Sequence, residues 1–311
     1  MSIRGTQDTL FDIAEGLRKI FPPKPERALD ELFDLARKYT TTESYNELLK
    51  FIRRFRFYSP YNAMLIHMQM PGAKFVATPR RWLDKYKRRI KTGARPLVIS
   101  QPRGPVMFVF DVSDTEPLNG APPLPAEVDR PFEVRGGTVG RQLELTCENV
   151  KRDGVSITDQ DAGSQRAGSL QTAASGKHLK VLKKSLPVAE YEQVPLRYEM
   201  LLNTKLSREA RYATLAHELG HLYCGHLGSP NLSWWPDRQT LHTNVCEFEA
   251  ESVCYLVCGY IGVDNPSEQY LSGYMDENKE TPPISLEAIM KAAGLIQKMG
   301  QERLRLRKTE G

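Results

Sequence analysis

The densest chemistry in this 311-residue chain lies in His217-Glu218-Leu219-Gly220-His221. Histidines at i and i+4 share one face of a helix, one turn apart, so both imidazoles reach a single ion. Neutral imidazole suits Zn²⁺ at ~2.0–2.1 Å, and a catalytic site takes three protein ligands plus a water. Glu218 stands beside the first histidine, where its carboxylate can face that water. The metal lowers the pKa of the water toward ~7, and Glu218 would take the proton as the water attacks a carbonyl. The pattern predicts metal-assisted hydrolysis with Glu218 as base.

One helix cannot close a tetrahedron, so the third ligand comes from elsewhere. Glu247 is the best candidate, in the run Glu247-Phe248-Glu249-Ala250-Glu251 that opens a later helix, with small Ala250 letting the two helices approach. Glu251, one turn on, is placed to accept the remaining N–H of a ligand histidine. Glu249 points about 200° away around that helix and is the weaker choice. An HExxH string also arises by chance. Here apolar flanks (Thr214-Leu215-Ala216 and Leu222-Tyr223), a capped helix and the downstream ExxAE favour the metal. His226 and His242 stand alone near the site and read as surface or structural residues. Cys254 and Cys258, one turn apart, read as small core residues.

A second constellation is electrostatic. The whole chain carries +5, from 43 basic and 38 acidic residues. Residues 51–105 alone hold thirteen basic side chains and one acid, or +12, which leaves −7 for the rest. Aromatics are interleaved there: Phe51, Phe55, Phe57, Tyr58, Tyr61, Phe75, Trp82 and Tyr86. A positive groove with rings for base stacking is how sequence-tolerant single-strand binders work. The expected contacts are Arg53, Arg54, Arg56, Tyr58, Tyr61, Arg80, Arg81, Trp82, Lys85, Lys87, Arg88, Arg89 and Lys91. Duplex binding through phosphates alone is the near competitor. A solvated basic face with core aromatics is the plainer one, since Phe51, Phe55 and Tyr58 fall at helical spacing.

The elements that position these residues follow from periodicity. Leu10–Leu17 and Leu29–Ala36 have helical spacing, and Thr40 with Glu43 forms a capping box for a helix through Leu48, Leu49 and Ile52. An apolar stretch from Tyr61 to Met70 stops at Pro71-Gly72, and strand-like runs follow at Leu97–Ile99 and Val106–Val112. Prolines dominate from Glu116 to Pro131 and mark a boundary. Residues 132–186 read as weak β-structure around a polar loop from Asp159 to Lys177. Beyond them come a strand at Tyr198–Asn203 and a helix from its N-cap Ser207 to about Cys224. Two further helices span about Val245–Tyr260 and Ser285–Leu306.

Taken together, YEMLLNTKLSREARYATLAHELGHLYCGH and the later EFEAESV resemble the ImmA/IrrE family of zinc metallopeptidases. The resemblance implies a gluzincin-type fold, with His217, His221 and Glu247 as ligands and Glu218 as base. It also implies that strand 198–203 pairs with an extended peptide substrate. In the N-terminal part, YSPYNAMLI, RRWLDKY, Lys91-Thr92-Gly93 and VFDVSDTE, over about residues 58–116, resemble the single-stranded-DNA-binding domain of ArdC antirestriction proteins. EQYLSGYM and AIMKAAGLIQKM are similar to the C-terminal helices of the same family.

The expected fold is α+β: a helical/α+β nucleic-acid-binding module (residues 1–116), a Pro-rich linker and insert (117–186), and a gluzincin-like zinc metallopeptidase domain with C-terminal helices (187–311). The expected function is zinc-dependent endopeptidase action on a protein partner such as a DNA-bound regulator. The rival is a non-proteolytic, antirestriction-type single-stranded-DNA-binding protein with a structural or relict zinc site. No apolar run reaches the ~18 residues a membrane span needs, so no membrane partner is expected. The N-terminal residues lack a signal peptide's apolar stretch, and five cysteines without a CxxC pair suggest no disulfide framework, so a cytoplasmic location is expected.

Overall fold

The computed structural model describes residues 39, 41–55, 57–101, 104–124, 137–161, 167–174, 176–184, 187–264, 267, 271 and 280–307. The helices expected at 10–17 and 29–36 lie outside them, as does Arg56. Helices and strands are both plentiful, an α+β architecture. The chain divides into two compact units, Met1–Tyr39 with Asn62–Pro131 and Thr40–Tyr61 with Phe132–Gly311.

The apolar stretch ending at Pro71 forms most of helix α2 (Pro60–Gln69), whose residues from Asn62 onward belong to the first unit. Strands β1 (Val76–Ala77), β3 (Leu97–Gln101) and β4 (Gly104–Asp111) build an antiparallel sheet in the order β1-β4-β3. Thr78 accepts a hydrogen bond from Arg81 N–H and Pro79 pre-sets the first turn of α3 (Pro79–Tyr86). The helix lays Trp82 and Tyr86 onto Phe75, Ala77 and Phe110. Trp82 is fully buried and donates its indole N–H to the Phe110 carbonyl at 2.9 Å. The short pair β2 (Arg88–Ile90) with β5 (Thr115–Pro117) follows.

The second unit holds α1 (Thr42–Arg54), α4 (Gln142–Val150), β6 (Val155–Gln160), β7 (Gly168–Thr172), β8 (His178–Lys184), β9 (Glu190–Pro195) and β10 (Tyr198–Asn203). It is completed by α5 (Arg208–Tyr223), α6 (Thr243–Tyr260) and α7 (Leu286–Gln301). The cap of α1 is Thr41, one residue later than the capping box placed it, with Ser44 N–H as donor. This helix belongs to the second unit because Tyr45 is buried against Phe248 and donates to Ser252 Oγ at 2.7 Å, both on α6. Within the stretch 132–186, the described residues form a helix as well as strands. Leu143 and Leu145 lie in α4, whose Asn149 donates to the Met299 and Glu302 carbonyls and so ties it to the end of α7.

The sheet of this unit has the order β6-β10-β7. β10 pairs in parallel with β6 from Tyr198↔Val155 to Asn203↔Gln160, and antiparallel with β7 from Tyr198↔Thr172 to Leu202↔Gly168. Four residues then lead into α5, capped by Ser207 as its sequence predicts. No described helix is long and apolar enough to cross a membrane.

Candidate metal centre

α5 and α6 cross where Gly220 meets Ala250. A Cβ built on Gly220 would sit 3.0 Å from Ala250 Cα and 3.2 Å from its carbonyl oxygen, so the missing side chain sets the helix spacing. The clash is with backbone, which cannot rotate away. Gly220→Val is therefore expected to destabilise the fold by about 1–3 kcal/mol and to weaken metal binding with every ligand still present. Urea unfolding and zinc titration against a competing chelator check both effects.

The close approach brings together three donors from two helices. His217 Nε2 lies 3.2 Å from His221 Nε2, 3.5 Å from Glu247 Oε2, and His221 Nε2 lies 3.5 Å from Glu247 Oε1. Donors bonded tetrahedrally at ~2.0–2.2 Å stand roughly 3.3–3.5 Å apart. Two imidazoles and a carboxylate at these separations therefore fit one divalent ion of zinc's size. Glu247 keeps 40% of its side chain exposed, so the cluster opens to solvent on that side. Hydrogen bonding from His221 holds its carboxyl below the ordinary value, against burial.

Glu251 occupies its expected place, with Oε1 3.3 Å from His217 Nδ1. Burial raises its pKa, but hydrogen bonds from His217 and Ser267 outweigh that and hold it low. Burial pulls His217 down, and the hydrogen bond and charge of Glu251, with Glu218 and Glu247, raise it on balance. Glu218 is half-buried on α5 and close enough for its charge to act on that imidazole.

Three residues of this neighbourhood were not singled out as partners of the site. His226 Nδ1 lies 3.0 Å from His221 Nδ1, and His226 Nε2 lies 2.9 Å from Glu249 Oε2. Glu249, fully buried, also accepts two hydrogen bonds from Arg238 (2.6 and 2.7 Å) and one from Ser285 N–H (2.7 Å). Burial lowers the pKa of His226 despite the Glu249 hydrogen bond. The available signal was His226 itself, one helical turn and one residue after His221. His242 instead caps α6, accepting from Asn244 N–H. None of the five cysteines forms a disulfide, and Cys254 and Cys258 are buried.

Three expectations require correction. Strand 198–203 cannot receive a peptide, because β6 and β7 occupy both of its edges. Trp82 cannot stack on a base, because it lies at the centre of the first unit's core. Arg53 is not a free cation: it pairs with Asp264 at 2.7 Å and stacks over Tyr255. The remaining expected nucleic-acid residues divide between the units. Arg54, Tyr58 and Tyr61 fall in the second, with both tyrosines partly exposed. Arg80, Arg81, Lys85, Lys87, Arg89 and Lys91 are exposed in the first, Arg80 with 92% of its side chain in solvent. Arg88 beside them is half-buried and donates to Thr115.

Two solved structures of the antirestriction ArdC protein from plasmid R388, metal-free and Mn(II)-bound, align with 78% of this chain and 82% of theirs. Their identities are 14% and 15%, with TM-scores of 0.31 and 0.33. No curated protein matches the chain. Residues 175–253, the segment that carries His217, His221 and Glu247, match the model of the IrrE N-terminal-like domain, Peptidase_M78.

Proposed function

We propose that this protein is a zinc-dependent metallo-endopeptidase of gluzincin type, coupled to a module that binds single-stranded DNA, and that it cleaves a protein partner such as a DNA-bound regulator. The observation that carries the peptidase reading is the triangle of His217, His221 and Glu247 donors at 3.2–3.5 Å, set in a segment that matches a peptidase family.

His217, His221 and Glu247 would hold the ion, which would supply Lewis acidity at the scissile carbonyl and ease deprotonation of the attacking water. Glu218 takes the proton of the attacking water and passes it to the departing amine. Glu251 holds the His217 ring through Nδ1, leaving Nε2 for the metal. An extended substrate has β7 to pair with, one of the two outer strands of the sheet among the described residues. Its Gly168 lies against Thr214, one turn before His217 on α5. The test is cleavage of candidate protein partners by the zinc-loaded protein. Cleavage should stop on chelation and return with zinc; cleavage that survives complete metal removal contradicts the reading.

The DNA reading rests on the exposed cations of α3, β2 and the turn after it, within a segment of net charge +12. Each phosphate neutralised on a single strand contributes about −0.7 to the slope of log affinity against log salt. A distinctly negative slope is therefore expected, reduced by Arg81→Ala and Lys85→Ala together, and a slope near zero contradicts it.

A further inference from the structure

From the ligand His221, a largely buried chain runs through His226 and Glu249 to Arg238, three residues to which the hydrolytic chemistry gives no role. It starts on α5, passes through the turn after that helix, reaches the face of α6 opposite the metal ligands, and ends in the loop that precedes α6. His226 and Glu249 are almost wholly out of solvent, at 4% and 0% of their side chains.

We propose that His226, Glu249 and Arg238 are positioning residues that fix the proton of His221 on Nδ1 and so keep its Nε2 lone pair aimed at the metal. The inference rests on the metal reading and extends it to three residues, His226 in contact with His221 and the other two acting through His226.

The proton order follows from the far end of the chain. Glu249 accepts from both Arg238 nitrogens and from the Ser285 N–H, an arrangement that only an ionised carboxylate completes. An ionised carboxylate can only accept, so the 2.9 Å contact with His226 makes Nε2 of that ring the donor. A neutral His226 then has only Nδ1 left as an acceptor. Its 3.0 Å neighbour, His221 Nδ1, must be the donor. The tautomer of an imidazole is set by the hydrogen bond of its other nitrogen. With the proton on Nδ1, His221 Nε2 is unprotonated where it faces His217 Nε2 and Glu247. Reversing the chain would place an N–H in the middle of the donor triangle and block the metal.

The same geometry excludes a second metal at Cys224, His226 and Glu249, although their donor atoms cluster within 4.8 Å. The Arg238 guanidinium already neutralises Glu249 from 2.6 Å, and an added cation would sit against it. The two ligand histidines are therefore oriented differently. His217 is held by a carboxylate directly, and His221 by a carboxylate acting through a second imidazole.

The experiment compares wild type, His226→Ala and His226→Gln by two readouts. Long-range ¹H–¹⁵N spectra of the metal-free protein report the His221 tautomer, and zinc titration against a chelator reports affinity. Wild type is expected to show the Nδ1–H form. His226→Ala should show a tautomer mixture and bind zinc about 10–100-fold more weakly, the usual effect of losing such a partner. In His226→Gln the amide oxygen accepts from His221 and the amide N–H donates to Glu249, so most of the affinity should return. An Nδ1–H tautomer that survives His226→Ala, or an equal loss in both variants, would overturn the proposal. Failure of wild type to bind zinc would instead strike the metal reading, and the tautomer spectra would still decide the chain: a shift in the alanine variant supports it and no shift refutes it.

Discussion

Replacing Glu218 by glutamine is expected to slow peptide hydrolysis by about 10²–10⁴-fold while one equivalent of zinc stays bound. Glutamine has the shape of glutamate and keeps the helical propensity of α5, so the fold has no reason to change. It cannot take a proton at neutral pH. None of the three donors facing one another across the α5–α6 crossing belongs to Glu218, so metal retention is part of the expectation. Loss of turnover with unchanged zinc content identifies the carboxylate as the base. Equal cleavage by the variant contradicts the peptidase reading, whereas loss of zinc with loss of turnover would make Glu218 a metal-site residue instead.

The second large effect concerns stability. Glu249→Ala deletes the carboxylate at which Arg238, His226 and the Ser285 N–H all converge, and leaves the guanidinium, 19% exposed, without its counter-charge. Removing one partner of a buried pair costs about 3–5 kcal/mol, which urea unfolding of the metal-free protein reads directly. Burial pushes the Glu249 pKa up, yet the hydrogen bonds from His226, Arg238 and Ser285 hold it below its ordinary 4.5. A depressed folded value means that this carboxylate stabilises the fold fully above 4.5 and ceases to do so as pH falls through its folded pKa. Wild type should therefore lose stability with acidification over that window more steeply than Glu249→Gln. A variant with the wild-type unfolding midpoint and the wild-type acid profile contradicts the account.

How much of this was legible in the sequence depends on how local the cause is. α5 could be read almost to its ends, because Ser207 caps it and the two histidines repeat at one turn. Glu247 and Glu251 follow from the same rotation of 100° per residue, which also placed Glu249 on the other face of α6. What Glu249 does there was not legible. Its partners come from the turn after α5, the loop before α6 and the cap of α7, brought together only by tertiary packing. β7 was hidden for a similar reason. Gly168-Ser169-Leu170-Gln171-Thr172 has little strand preference of its own, and its extended form comes from hydrogen bonding along β10. In α4 the alternation of Leu143 and Leu145 imitates a strand, and Thr146, Asn149 and Val150 complete the buried face of a helix. The basic segment was legible as charge but not as surface. Helical spacing turns Trp82 and Tyr86 into the core while Arg81 and Lys85 stay in solvent, so the rings are withdrawn from the surface that the cations mark.

The central claim is that His217, His221 and Glu247 hold one divalent ion, and bound-metal stoichiometry tests it most directly. Zinc titration of the metal-free protein is expected to give one equivalent for wild type, with that equivalent lost in His217→Ala, His221→Ala and Glu247→Ala, each still folded by circular dichroism. A Glu247→Ala protein that retains the full equivalent at wild-type affinity would contradict the claim.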